Sequence, residues 1–283
     1  MGKFVESKSV DTVSEENFNE TWIGAESTAI SCWLTKRSAA IQAAFFLPQL
    51  SAGMNLLDCG CGPGTITADL ARLVMPGQVV GIDFDPSKVE QARTHLRDQK
   101  LTNLRFETAD IHALPFADNA FDAVFSNAVL TYSPAPLVAL REIHRVLKSG
   151  GVVGIRNVDY DGHLFTPISS SLTRWWDLVI ALQKKQGSNP YFGKQQRALC
   201  QQAGFIKVQA SATYECYGTP QTARNWGEVM AEALREGDPL EQAIKLGCKP
   251  AEIEEMHKAW LEWREHPDAF FADSYCETVG WKV

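Results

Sequence analysis

No run of lysine and arginine occurs in this chain of 283 residues, and acids outnumber them 34 to 27, leaving a formal charge of −7. A protein that grips nucleic acid by its phosphates needs basic surface, so the composition argues against DNA or RNA as partner. No window approaches the roughly 18 apolar residues of a membrane span, and the first 20 residues, MGKFVESKSVDTVSEENFNE, lack the apolar stretch of a signal peptide. None of the seven cysteines forms a CxxC pair. Their odd number and scatter read as reduced thiols in a cytoplasmic-type compartment. No second Cys or His pair stands at ligand spacing, so no metal site is expected. The dinucleotide fingerprint GxGxxG is also missing, which disfavours a nicotinamide dehydrogenase.

What is present is a strand–helix alternation. The first 20 residues are polar. Residues 22–50 carry Trp22, Ile30, Trp33, Leu34, Ile41, Phe45 and Phe46 at helical spacing, predicting an N-terminal helical cap over residues 1–50 that ends near Pro48. From residue 51 onward, NLLDCG, QVVGIDFD, residues 103–108, FDAVFSNAV and GVVGIRNV read as five strands separated by amphipathic helices. The helix from Pro136 is expected to stop at Ser149-Gly150-Gly151. This rhythm predicts an α/β fold, a doubly wound and mostly parallel sheet with right-handed crossovers. After Val158 come helical insertions at about 160–192 and 219–268, both candidate lids, with a strand FIKVQASATYEC between them and a closing strand in FFADSYCETVGWKV.

The chemistry sits at the strand ends, where α/β sheets bind ligands. In LLDCGCGPGT, Asp58 closes the strand and Gly60, Gly62 and Gly64 follow at alternate positions. Glycines let a ligand approach the backbone, but Pro63 offers no amide hydrogen, so the loop suits a ligand lying along it better than a pyrophosphate. Asp83 ends the second strand, where a carboxylate can accept both hydroxyls of a ribose. Asp110 follows the third and can accept from an adenine amine, or simply cap a turn. Phe84 and Ile111 offer apolar faces to the ring, and the fourth strand ends in Ser126-Asn127. Together these describe an adenosine without phosphates.

DCGCGPGT, GIDFD, TADIHALPFADNAFDAVFSNAVL and REIHRVLKSGG, in that order, resemble class I S-adenosylmethionine-dependent methyltransferases, closest to the ubiquinone and menaquinone biosynthesis branch. The resemblance is strong over residues 56–155 and weaker in QQRALCQQAGFIKV and ETVGWKV. It implies a Rossmann-like methyltransferase domain over residues 51–283, with seven strands and the last antiparallel. Asp58, Gly60, Cys61, Gly62 and Gly64 would hold the methionine moiety of S-adenosylmethionine. Asp83 would bind the ribose, Phe84 would flank the adenine, Asp110 and Ile111 would read its edge, and Asn127 would stand beside the sulfonium. The long helical stretch between the last two strands departs from the quinone enzymes, so their substrate is not carried over.

Methyl transfer from a sulfonium needs in-line positioning above all, and the sequence names few catalytic candidates. His163, after the fifth strand, can take a proton from an acceptor hydroxyl or be a loop histidine. Tyr132 can orient substrate or pack. Arg156 can meet a substrate carboxylate, Glu142 or another local acid. Cys59 and Cys61 raise thiol–metal chemistry, against which small side chains in a crowded loop are the simpler reading. Trp22, Trp175 and Trp176 lie in segments expected to fold over the sheet's carboxyl edge and wall an apolar pocket. The expectation is O- or C-methylation of a small, apolar or aromatic acceptor. The alternatives are non-methylating chemistry on the same cofactor fold, or a non-catalytic regulatory role.

Overall fold

Each apolar stretch that reads as a buried strand forms one. The computed structural model describes residues 32–235 and 237–283. The strands are β1 (Leu56–Cys59), β2 (Val79–Asp83), β3 (Leu104–Thr108), β4 (Phe121–Asn127), β5 (Leu147–Val158), β6 (Leu164–Thr166), β7 (Ile206–Tyr217) and β8 (Phe270–Trp281). β1 to β5 are parallel in the order β3-β2-β1-β4-β5, and β8 runs antiparallel between β5 and β7. This is the doubly wound sheet with its antiparallel closing strand. β6 is an addition: after β5 leaves the edge of β8 at Tyr275, β6 takes up the same edge at residues 270–272. Three residues are too short to announce a strand by alternation.

Burial on both faces explains the continuous apolar runs. Leu56, Val79, Ala123 and Phe125 face one core, with α2 (Thr65–Val74) and Phe46. Leu57, Val80, Val124, Val153 and Ile155 face the other, with α4 (Pro136–Val146) and α6 (Gln196–Gln202). Between β2 and β3 lies α3 (Pro86–Leu96), started by Pro86 and by Asp85, which accepts from Ser87 N at 2.7 Å.

The insertions supply a third core over the carboxyl edge. It is built from α5 (Ser170–Lys185), α7 (Pro220–Glu232) and α9 (Pro250–Trp263), with α8 (Gly237–Lys245) beside them. Trp260 is fully buried there, and Trp263 Nε1 donates to Thr166 O at 2.9 Å. These two tryptophans are packing.

In the described part of residues 1–50, residues 32–34 are helical, and α1 (Ala39–Gln42) and a 3-10 turn, Leu47–Gln49, follow. The apolar residues of this part are spent one at a time: Phe46 is buried against Gly154, while Ile41 is exposed. Gly150-Gly151 does not stop a helix. α4 ends at Val146 and the strand begins at once, so the glycine pair sits inside β5, where the register with β4 shifts between Phe121 and Ala123. Among the described residues no helix is long and apolar enough to cross a membrane.

Candidate active site

One cavity of ≈ 280 Å³ opens along the carboxyl ends of β1 to β5, roofed by the helical insertions. Its floor is made of successive strand tips: Gly60 to Pro63 after β1, Ile82 to Asp85 after β2, Ala109 and Ile111 after β3, and Asn127 to Val129 after β4. Of the expected cofactor residues, Gly60, Cys61, Gly62, Asp83, Phe84, Ile111 and Asn127 therefore share one wall.

The loop after β1 is held by its own backbone. Gly60 N and Cys61 N both donate to Ile82 O at 2.8 Å, Gly62 N to Asp83 Oδ2 at 2.9 Å, and Gly64 N to Cys61 O at 3.0 Å. Pro63 has none to give. The amides of Gly60, Cys61, Gly62 and Gly64 are thus already used. Gly60 has φ +81°, and a Cβ there would overlap Val129 at 2.1 Å, so only glycine leaves the floor open.

Asp83 spends one acceptor position on Gly62 N and another on Asp85 N at 3.1 Å. A carboxylate has about four, so two remain for vicinal hydroxyls. Burial pushes this carboxyl up, while the amides of Asp85 and Gly62 pull it back. Phe84 is half exposed and Ile111 is buried, and both line the cavity with apolar surface. These groups fit a phosphate-free nucleoside.

Three expected contacts do not reach the cavity. Asp58 is buried behind the wall, its Oδ2 accepting from Thr67 Oγ1 at 2.6 Å. Gly64 (φ +80°) caps α2, and a Cβ on it would strike Phe106 at 2.7 Å. It is glycine for the packing behind the loop. Asp110 does not line the cavity: its Oδ1 takes His112 N at 2.8 Å and His112 Nδ1 at 2.7 Å, and His112 Nε2 meets Ser133 Oγ at 2.7 Å. Asp110 is the turn acid, and the network pins the ledge that presents Ile111.

Burial pushes Asp58 to about 7, opposed by the Thr67 hydrogen bond and aided by nearby Asp83. The folded state therefore holds this proton more tightly than the unfolded one. The resulting stability is complete below about pH 4 and is lost as pH rises through 7, at most about 4 kcal/mol. Asp58→Asn, which still accepts from Thr67, is expected to raise the unfolding free energy at pH 8 by roughly 1–3 kcal/mol. Urea titrations between pH 4 and 8 should show a flatter profile than wild type; a profile of equal slope would remove Asp58 as its source.

Cys59 and Cys61 are thiols in a dry environment. Burial pushes both well above the usual range, with Asp58 adding to it. Among the described residues no group of three His, Cys, Asp or Glu could hold a metal, and all seven cysteines are free.

The far end of the cavity is aromatic. Trp33, Trp175, Trp176 and Trp226 line it with Val179 and Met230, and Trp176 stacks on Phe271 at 5.6 Å. Trp22 lies outside the described residues. Into this apolar end project His163, Tyr132, Tyr160, Asp273, Tyr275 and Arg37. His163 Nε2 lies 2.8 Å from Asp273 Oδ1. Asp273 Oδ2 accepts from Tyr275 Oη at 2.8 Å, and Tyr275 Oη accepts from Arg37 Nη2 at 3.2 Å. Tyr132 is hydrogen-bonded to Tyr160, and burial pushes its phenol well above the usual range. Tyr160 also accepts from Gln183 Nε2 at 2.6 Å.

Arg156 is the clearest correction. It does not line the cavity. Its side chain is 1% exposed, with Nη2 2.8 Å from Glu215 Oε1 and Nε 3.6 Å from Glu277 Oε1. The local acids are cross-strand partners, and Glu142 instead pairs with Arg145. Arg37 and Asp273 escape the sequence reading. A visible hint for Asp273 is an acid in the strand FFADSYCETVGW, which is buried along most of its length.

Known proteins resemble this chain in sequence and in fold. A family described as "Methyltransferase domain" matches residues 50–232. The probable methyltransferase ltbC of Aspergillus luteorubrus is 32% identical over 280 residues, covering 92% of this chain and 96% of its own. Demethylmenaquinone methyltransferase of Lactococcus lactis is 40% identical over 102 residues, 36% of this chain and 40% of its own. In fold, the chain matches Haemonchus contortus phosphoethanolamine N-methyltransferase 2, solved with S-adenosylhomocysteine, at a TM-score of 0.52 and 19% identity, over 82% of this chain and 49% of that one.

Proposed function

The chain belongs to the class I S-adenosylmethionine-dependent methyltransferases, and from that premise we propose that it methylates oxygen or carbon of a small, apolar or aromatic acceptor. The observation that carries this is the continuity of one cavity, from the nucleoside-shaped strand tips to an aromatic end holding the His163–Asp273 pair.

The residues divide the work by place. Asp83 would hold the ribose hydroxyls, Phe84 and Ile111 the adenine faces, and the Gly60–Gly62 backbone with Asn127 the methionine end. The bound cofactor supplies a methyl group on a sulfonium, whose leaving group is a neutral thioether. The chain then has to align the acceptor, keep water out and, for a protonated nucleophile, take its proton. The tryptophan wall does the first two. His163 Nε2 lies within ion-pair distance of Asp273 Oδ1 without hydrogen-bond geometry, and Nδ1 is the ring nitrogen assigned to the acceptor.

Incubation with methyl-labelled S-adenosylmethionine and a panel of phenols, enols and β-dicarbonyl compounds tests the reading. Label in the acceptor together with S-adenosylhomocysteine is expected. Acceptor rearranged without label would point to non-methylating chemistry, and cofactor binding without turnover of any acceptor to a regulatory role. Asp83→Asn is expected to weaken S-adenosylhomocysteine binding by about 10–100-fold in calorimetry, the worth of charge-assisted hydrogen bonds. An unchanged Kd would take the ribose away from Asp83.

A further inference from the structure

The acceptor end contains a permanent cation that methyl transfer itself does not require. Arg37 enters the cavity wall from the segment preceding α1. Its guanidinium carbon lies 4.2 Å from the Trp33 ring centroid and its Nη2 donates to Tyr275 at 3.2 Å. Its Nε is buried with no hydrogen-bond partner among the described residues. The nearby acids are engaged elsewhere. Asp273 Oδ2 accepts from Tyr275, and its Oδ1 lies at ion-pair distance from His163 Nε2 without hydrogen-bond geometry. Glu215 serves Arg156 at 2.8 Å and Gln42 at 3.0 Å. Arg37 makes no ion pair with any described residue. Two further buried donors from the same wall, Trp175 Nε1 and Trp226 Nε1, also lack partners. Tyr275, Glu215, Tyr217 and Asp273 hold the guanidinium's charge against burial, but these three buried N–H donors have no partner in an apolar enclosure, where an unsatisfied donor is costly.

We propose that Arg37 is the specificity-determining residue of the acceptor subsite and that it receives an oxyanion, so that the substrate is an aromatic or polycyclic molecule bearing a carboxylate, enolate or phenolate oxygen. The inference rests on the methyltransferase reading. Where the acceptor arrives protonated, its O–H bond breaks and the proton goes to His163 Nδ1. The oxyanion stays beside Arg37, and its electron pair, on oxygen or relayed to carbon, forms the bond to the methyl carbon. The pair of the carbon–sulfur bond stays with sulfur. Arg37 is suited to this because its planar fork stays charged at any working pH.

The test is calorimetry at pH 7.5 with two matched pairs, with and without S-adenosylhomocysteine. One pair is 1-naphthoate against 1-naphthamide, which reads a carboxylate. The other is 2-hydroxy-1,4-naphthoquinone against its 2-methoxy derivative, which reads an enolate. Wild type is expected to bind the anion of at least one pair about tenfold tighter than its neutral partner, the worth of a charge-assisted hydrogen bond. Arg37→Gln should erase that preference while leaving the neutral probe and S-adenosylhomocysteine unaffected, which a merely structural role would not do. If Arg37→Gln does not fold, Arg37→Lys decides: a preference reduced at least threefold supports the assignment, and an unreduced one overturns it. No anion preference in wild type, or one that survives in Arg37→Gln, also overturns it. Failure of wild type to bind S-adenosylhomocysteine would instead sink the methyltransferase reading, and the cofactor-free arms would still judge Arg37.

Discussion

Arg156→Ala is expected to lower the unfolding free energy by about 3–5 kcal/mol, the usual cost of stranding buried charge. Arg156 sits on β5 directly opposite Glu277 on β8, and Glu277 is 2% exposed. Ser211 and Thr213 of β7 donate to the Glu277 oxygens at 2.9 and 2.6 Å. The guanidinium also lies 3.5 Å from the Tyr275 ring centroid and donates to Asn127 Oδ1 at 3.2 Å. Removing it leaves two inward carboxylates, Glu215 and Glu277, without their shared cation. Urea unfolding measures the loss. Arg156→Lys should lose less, since charge persists while the fork and the ring contact go. Adding Glu215→Gln and Glu277→Gln to the alanine variant should recover most of the deficit. A loss below about 1 kcal/mol for Arg156→Ala alone would mean that the network is not what secures β8.

The strand-tip half of the candidate site was legible because its signals are local. Gly60, Gly62, Asp83, Phe84, Ile111 and Asn127 each stand at the end of a strand that announces itself, and parallel pairing aligns those ends. Residue type alone did not tell which way each group faces. Asp58 and Gly64 belong to the same motif yet point behind the loop, and Asp110 folds back on His112. The acceptor half depends on long-range pairing. Arg37 and Tyr275 are 238 residues apart, and β8 must insert antiparallel between β5 and β7 before Arg156 meets Glu277 or Asp273 meets His163. A one-residue slip would turn those groups to the opposite face. Neither partner of such a pair carries a sequence signal of its own.

That long-range pairing makes the last prediction specific. His163→Ala is expected to lower kcat by 10²–10⁴ for an acceptor whose nucleophile carries a proton, the usual contribution of a general base, with S-adenosylhomocysteine affinity unchanged. His163 is enclosed by Tyr160, Trp176 and Phe271 at ring separations of 5.0, 4.9 and 5.2 Å, so the imidazole has little freedom to turn. Asp273 Oδ1, 2.8 Å from Nε2 though outside hydrogen-bond geometry, would favour the proton on Nε2, because a carboxylate can only accept. Asparagine at 273 can donate instead, which moves the proton to Nδ1 and takes the lone pair away from the acceptor. Asp273→Asn should therefore approach the His163→Ala deficit with the fold and the Trp176–Phe271 stack intact. Exogenous imidazole should restore part of the rate to His163→Ala, whose lost ring leaves a cavity in the wall, and should do nothing for Asp273→Asn, whose ring is still in place. Equal turnover in wild type and both variants, measured as S-adenosylhomocysteine release with an acceptor of high pKa, would show that proton removal is not the chain's task and leave only alignment and exclusion of water to account for the rate.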